Sequence, residues 1–129
     1  MEEPRFNGAR ATLMQWTEAV ASGRIEQVLG LYAPDAILVP TLSNEIIVTE
    51  EGRRRYFEFF LSDGGARCAV EHEEFRIDRE GDTVTIGGVY SFSFPRPTGE
   101  ETVPARFLFT FEMLNTRWLI TGHHSSRCV

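Results

Sequence analysis

Lysine is missing from this 129-residue chain: all thirteen basic residues are arginine, a bias that carries no functional reading. Cysteine is nearly missing too. Cys68 and Cys128 stand far apart without paired spacing, which argues against a disulfide framework and for two reduced thiols in a cytosolic protein. Positive charge is in deficit. A net charge of −6 and a pI near 5.1 leave no basic stripe to neutralise phosphates, so a nucleic-acid partner is excluded. No run reaches the roughly 18–20 apolar residues that cross a bilayer, so no membrane association is expected. The N-terminal Met1-Glu2-Glu3-Pro4 is acidic and lacks the apolar run of a secretory signal, and a cytoplasmic location is expected. There is no nucleophile elbow, no glycine-rich phosphate loop, no internal repeat and no linker.

What is present suits a packed core. Hydrophobic residues make up 42% of the chain and aromatics 12%, with most of the ten phenylalanines between Tyr56 and Phe111. The length fits one domain, 1–129, since domains cluster near roughly 100–150 residues.

The first half reads as helices. Asn7 is placed to cap a helix in which Leu13, Trp16 (or Thr17) and Val20 recur at helical spacing, with Gly23 as its stop. A shorter helix carries Ile25, Val28, Leu29 and Tyr32 on one face and ends at Pro34, which cannot continue the ladder. Ala36 to Val39 reads as a short strand, with Glu45 to Val48 as its hairpin partner. Thr49 caps a third helix, Glu50 to about Leu61, that ends at Ser62-Asp63-Gly64-Gly65. The second half reads as four strands: Cys68 to Asp78, Thr83 to Phe94, Val103 to Met113 and Arg117 to Ser126. Glu80-Gly81-Asp82, Pro95 to Glu101 and Asn115-Thr116 are the turns between them. Helices grouped ahead of an antiparallel meander mean α+β.

Alternation gives the sheet two faces. Phe107, Phe109, Phe111 and Met113 share one face, and Arg106, Leu108, Thr110 and Glu112 the other. Val84, Ile86, Tyr90, Phe92 and Phe94 form a matching apolar set, which must meet the helices. Gly87-Gly88 inside that strand marks a bulge or bend. On the last strand Leu119, Thr121, His123 and Ser125 oppose Trp118, Ile120, His124 and Ser126, and alternation leaves open which set is inside.

The order of elements, with "LYAPDAILVP" (Leu31 to Pro40), "ARFLFTFEML" (Ala105 to Leu114) and "WLITGHHSS" (Trp118 to Ser126), resembles the nuclear-transport-factor-2-like superfamily. Within it the chain is similar to bacterial relatives of the calcium/calmodulin-dependent kinase II association domain, of the SnoaL-like kind. The resemblance implies a six-stranded curved sheet around a long N-terminal helix, a conical pocket, and dimers, sometimes rings of dimers, formed through the sheet's outer face. The arginines that line the kinase domain's pocket fall at Tyr90, Phe109 and Ser125, so that polyanion-like pocket does not carry over. The resemblance puts Tyr90, Phe109, His123 and Ser125 on the pocket side, and His124, Arg106, Thr110 and Glu112 outside. The strand Asp that serves the superfamily's ketosteroid isomerases falls at about Pro40, which cannot move a proton. Asp35 reads as a turn residue bonding local amides.

Two functional readings follow. The first is a homo-oligomeric binding and assembly module whose mostly apolar pocket, formed by Trp16, Tyr32, Tyr56, Tyr90, Phe109, His123 and Ser125, holds a small organic ligand. The second is a small enzyme of the isomerase, cyclase or hydrolase kind, with His123 as general acid-base and Tyr90 as orienting group. A purely structural dimer is a further reading. The dimer that the resemblance implies would make Arg106, Thr110, Glu112, His124 and Ser126 a self-association surface; the other reading of these residues is a solvated face. Arg53-Arg54-Arg55 reads as a solvated helix face with local salt bridges. His123 and His124 point to opposite faces and cannot share an ion; His72 or Glu71 would have to join one of them, and neither a metal nor another cofactor is expected.

Overall fold

A computed structural model describes residues 3–78, 80 and 82–129. Met1, Glu2, Arg79 and Gly81 lie outside this description, and with Gly81 the centre of the turn expected at Glu80-Gly81-Asp82. The chain runs α1 (Pro4–Ser22), α2 (Ile25–Leu29), β1 (Tyr32–Val39), α3 (Glu50–Phe60), β2 (Arg67–Ile77), β3 (Thr83–Arg96), β4 (Gly99–Leu114) and β5 (Arg117–Arg127). This is an α+β fold. Its curved sheet has the order β1-β5-β4-β3-β2, antiparallel except where β1 runs parallel to β5.

α1 begins earlier than Asn7. Pro4, which has no N–H to leave unpaired, opens the helix, and the Glu3 carboxylate caps it by accepting from the Arg5 amide. The extra turn brings Phe6 onto Phe75, with ring centroids 4.1 Å apart. Ala9, Leu13, Trp16 and Val20 then lie buried along one face. Gly23 ends the helix at φ 67°, where its N–H reaches back to Val20 O.

Tyr32 belongs to β1, not to α2. The residue before a proline is driven out of the helical region, so Ala33-Pro34 extends the chain, and Tyr32 takes a register position opposite Ile120 of β5. Pro34 sits inside this strand without penalty because β1 is an edge and bulged between Tyr32 and Ile37. Asp35 is an exposed residue of that irregular stretch rather than of a turn.

The hairpin expected at Glu45 to Val48 shrinks to one bridge, Leu38 with Ile47, exchanging N–H···O bonds of 2.9 Å in both directions. Pro40 cannot donate on one side, and Thr49 is already committed as the cap of α3 on the other. The sheet therefore has five strands and not the six the resemblance implied. The turn expected at Pro95 to Glu101 is also shorter. β3 and β4 stay paired out to Arg96 and Gly99, leaving Pro97-Thr98 as the connection.

Two bulges set which side chains face inward. The β2–β3 register slips between Val70 and His72. Cys68 and Val70 point inward before the slip and Glu73 and Ile77 after it, while His72 is exposed beside Glu74. Gly88 of β3 faces this bulge, where a Cβ would stand 1.9 Å from His72 O; only glycine permits the approach. The β4–β5 register slips between Thr110 and Phe111, so Ile120 is buried, Thr121 is the extra residue, and His123 and Ser125 are buried. Neither of the two alternating sets on β5 is the inner face along its whole length.

The inner face is aromatic. Phe107, Phe109 and Phe111 are buried with Val84, Ile86, Tyr90 and Phe92 against α1, each phenylalanine worth about 1.5–3 kcal/mol of transfer free energy. Trp16 is the centre. It stacks on Tyr90 at 5.8 Å and meets Phe57, Phe92, Phe109 and His123 edge-on.

The arginine run on α3 divides by helical geometry. Arg55 pairs with Glu51 one turn away and Arg54 with Glu26 of α2, as exposed ion pairs. Arg53 is not solvated. It is 1% exposed, and its guanidinium donates to Ala36 O, Ala33 O and Pro34 O at 3.0–3.1 Å, the carbonyls that the bulge of β1 leaves without strand partners.

Candidate functional site

Between α3, the segment after β1 and the inner faces of β3, β4 and β5 lies a cavity of about 300 Å³. Trp16, Leu38, Phe57, Tyr90, Phe92, Ala105, His123 and Ser125 form its buried interior, and Pro40, Thr41, Leu42, Tyr56, Phe60 and Val103 its walls. The charged residues lining it, Asp63, Arg96, Glu101 and Arg127, are all exposed and stand at its rim. There Arg96 bridges Asp63 at 3.5 Å and Glu101 at 3.0 Å. Phe59, also at the rim, is 61% exposed.

A chain of hydrogen bonds runs through the polar interior. Trp16 Nε1–H donates to Tyr32 Oη at 3.0 Å, and Tyr32 Oη is 2.9 Å from His123 Nδ1. His123 Nε2 is 3.1 Å from Tyr90 Oη, which donates to Ser125 Oγ at 2.7 Å. The Thr41 hydroxyl donates to the same Ser125 Oγ, also at 2.7 Å. The His123 ring lies flat on Phe109, with centroids 3.8 Å apart. Burial pushes His123 down to about 3, with His124 adding a smaller push the same way, so the imidazole is neutral at neutral pH. Burial raises the Tyr32 and Tyr90 phenols well above their usual value and Tyr56 to about 12. Cys68, across from Phe92 on β2, is likewise pushed up to about 12 by burial, while Cys128 is exposed and also free.

Of the residues singled out from sequence, Trp16, Tyr56, Tyr90, His123 and Ser125 line the cavity. Tyr32 and Phe109 stand one layer back, the first bonding His123 and the second stacking on it. Sequence reasoning missed Thr41, whose position shows only once β1 delivers Pro40 and Thr41 to the cavity wall. Arg106, Thr110, Glu112, His124 and Ser126 occupy the opposite face, with Arg106 across from Ser126 and Leu108 across from His124. Leu108, half exposed, puts an apolar side chain at the middle of that polar patch. Pro40 is buried in the cavity wall and brings no acid group to the interior there. Among the described residues no three His, Cys, Asp or Glu side chains converge as a metal site. None of the described helices is long and apolar enough to cross a membrane.

Comparison with known proteins places this geometry in a family. The SnoaL-like domain family matches residues 9–129. A Xanthomonas campestris protein named for the calcium/calmodulin-dependent protein kinase II association domain is 34% identical. It superposes with a TM-score of 0.84 over 92% of this chain and 84% of its own. The association domain of the Caenorhabditis elegans kinase superposes with a TM-score of 0.74 at 18% identity, over 91% of this chain and 90% of its own. A Streptomyces avermitilis protein named as a dehydratase of the NTF2-like family reaches 0.83 at 12% identity, over 95% of each chain. No curated protein matches the chain. A family match over almost the whole sequence and a fold shared with the kinase association domains agree with the architecture of a curved, aromatic-lined sheet against a long helix: the chain belongs to the SnoaL-like domain family, on the nuclear-transport-factor-2-like fold.

Proposed function

We propose that this chain is a homo-oligomeric, cytoplasmic module that binds a small organic molecule in the cavity between α3 and the inner sheet. The hydrogen-bond chain that ends on Ser125 inside an aromatic cavity carries this reading. Pockets for small organic molecules combine an apolar lining with a few fixed polar groups. Native mass spectrometry of gently purified protein is expected to find a discrete organic adduct on an oligomer. Val103 lines the cavity and is half-buried, so Val103→Trp fills the space and should remove the adduct while leaving the subunit count unchanged. An adduct retained by the filled variant places the ligand elsewhere.

Self-association is assigned to the outer face of β4 and β5. The similarity to kinase association domains supports it, as does Leu108 exposed among Arg106, Thr110 and His124. In a two-fold interface each side chain is used twice, so Arg106→Glu should shift the protein to smaller species in sedimentation velocity at micromolar concentration. An unchanged sedimentation coefficient would remove this face from the reading.

The alternative, a cofactor-free enzyme using His123 with Tyr90, draws on the position of His123 at the cavity and on the fold shared with a protein named as a dehydratase. A neutral-pH general base works best with a pKa near the working pH. His123 is far below that and has both nitrogens engaged by tyrosines, which favours the binding reading.

A further inference from the structure

The hydrogen-bond chain has a direction, and the direction says what the ligand must offer. Indole N–H is a donor and nothing else, so Tyr32 Oη accepts from Trp16. The remaining partner of Tyr32 is His123 Nδ1, and the site is fully buried. Were Nδ1 protonated, the Tyr32 proton would be buried without an acceptor, which costs more than the bond contributes. Tyr32 therefore donates to Nδ1, and the neutral imidazole carries its proton on Nε2. Nε2–H donates to Tyr90 Oη, whose own proton goes to Ser125 Oγ. Thr41 donates to the same oxygen. Both acceptor positions of Ser125 are thereby filled, and among the described residues nothing receives its proton. Ser125 is buried, faces the cavity, and has only an O–H to give.

Charge narrows the choice further. The charged residues that line the cavity are all at the rim, and none stands beside Ser125 in the interior. A carboxylate or phosphate brought to the inner end would lose its water without gaining a cation. An ammonium would meet a hydroxyl that can no longer accept. We infer that the pocket selects uncharged, largely apolar molecules that present an accepting oxygen, a ketone, aldehyde, ester or lactone carbonyl, to the Ser125 hydroxyl. Tyr32 and Tyr90, through His123, act as positioning residues that hold Ser125 in the donating state. This selectivity rests on the reading of the cavity as a ligand pocket.

Four probes on one skeleton test it: 2-acetylnaphthalene, 2-isopropylnaphthalene, 1-(2-naphthyl)ethylammonium and 2-naphthoate, titrated while Trp16 fluorescence is followed against a Trp118→Phe background. The ketone should bind about three- to tenfold tighter than the hydrocarbon, the span of one net hydrogen bond, with the ammonium weakest. Ser125→Ala should bring the ketone-to-hydrocarbon ratio to about one and leave naphthoate unmoved. A hydrocarbon that binds as well as the ketone, or a ratio that survives Ser125→Ala, overturns the selectivity while the pocket stands. Failure of all four probes overturns both. Independently of any ligand, the long-range ¹H–¹⁵N correlation pattern of wild-type His123 should be that of the Nε2–H tautomer; an Nδ1–H pattern reverses the chain and refutes the inference.

Discussion

Arg53→Met is expected to cost about 3–5 kcal/mol of folding free energy, a large part of the roughly 5–15 kcal/mol that holds a domain of this size. The reason lies in β1. Between Tyr32 and Ile37 the strand leaves its ladder with β5, and the carbonyls of Ala33, Pro34 and Ala36 turn to the guanidinium of Arg53. Methionine fills the volume but donates nothing, so buried acceptors are left unpaired at about 1–3 kcal/mol each. Arg53→Lys should recover less than half, because a single ammonium cannot reproduce the planar fork that reaches three oxygens. Urea denaturation followed by circular dichroism measures both variants. Arg54→Ala and Arg55→Ala, which break only exposed pairs with Glu26 and Glu51, should stay within about 1 kcal/mol of wild type. A wild-type midpoint for Arg53→Met would show that water reaches the β1 carbonyls and that the arginine is dispensable. Since β1 delivers Leu38, Pro40 and Thr41 to the cavity wall, the same variant should also weaken binding of the ketone probe.

Acid should destabilise the protein through His123, in a window that the histidine defines. In the unfolded chain this imidazole titrates near 6.5; in the fold, burial holds it at about 3. Above pH 6.5 both states are neutral there and the stability is complete. As pH falls, the unfolded chain takes up a proton that the folded chain refuses, so stability declines steadily until the folded pKa is reached. Full passage through the window amounts to about 4–5 kcal/mol, and the fall from pH 6.5 to pH 5 alone to about 2 kcal/mol. Glu3 and Glu26, held below their usual value by Arg5 and Arg54, act in the same direction at lower pH, so the measurement is a difference. Urea unfolding at pH 7 and pH 5 should give a loss for wild type that exceeds the loss for His123→Gln by about 2 kcal/mol. Equal losses would mean that the ring is hydrated in the folded state, and the buried chain from Trp16 to Ser125 would have to be redrawn.

The strong periodicities of the sequence survived folding. Alternation at Phe107, Phe109 and Phe111 put these rings on the inner face, helical spacing at Leu13, Trp16 and Val20 put Trp16 at the core, and Gly23 ended the first helix where its φ required. These are local features, decided by the period of the chain and the conformational freedom of one glycine, and so they could be read in order. The motifs Leu31 to Pro40 and Trp118 to Ser126 carried the family, because they bracket the parallel pairing of β1 with β5.

What folding added came from contacts between residues far apart in sequence. The bulges opposite Gly88 and at Thr121 shift the inward phase of β2 and β5 by one residue, and no local pattern announces a partner strand's extra residue. Tyr32 left the helix because β5 offered it a register position, and Glu45 to Val48 did not become a strand because only Ile47 found a partner. Arg53 looks like its neighbours Arg54 and Arg55 until β1 turns its unpaired carbonyls toward it. The composition and periods of the chain decide that an aromatic sheet face meets a long helix. The polar groups buried there, and the direction in which each passes its proton, depend on which distant backbone and side-chain partners arrive, since a hydrogen bond is satisfied only in three dimensions.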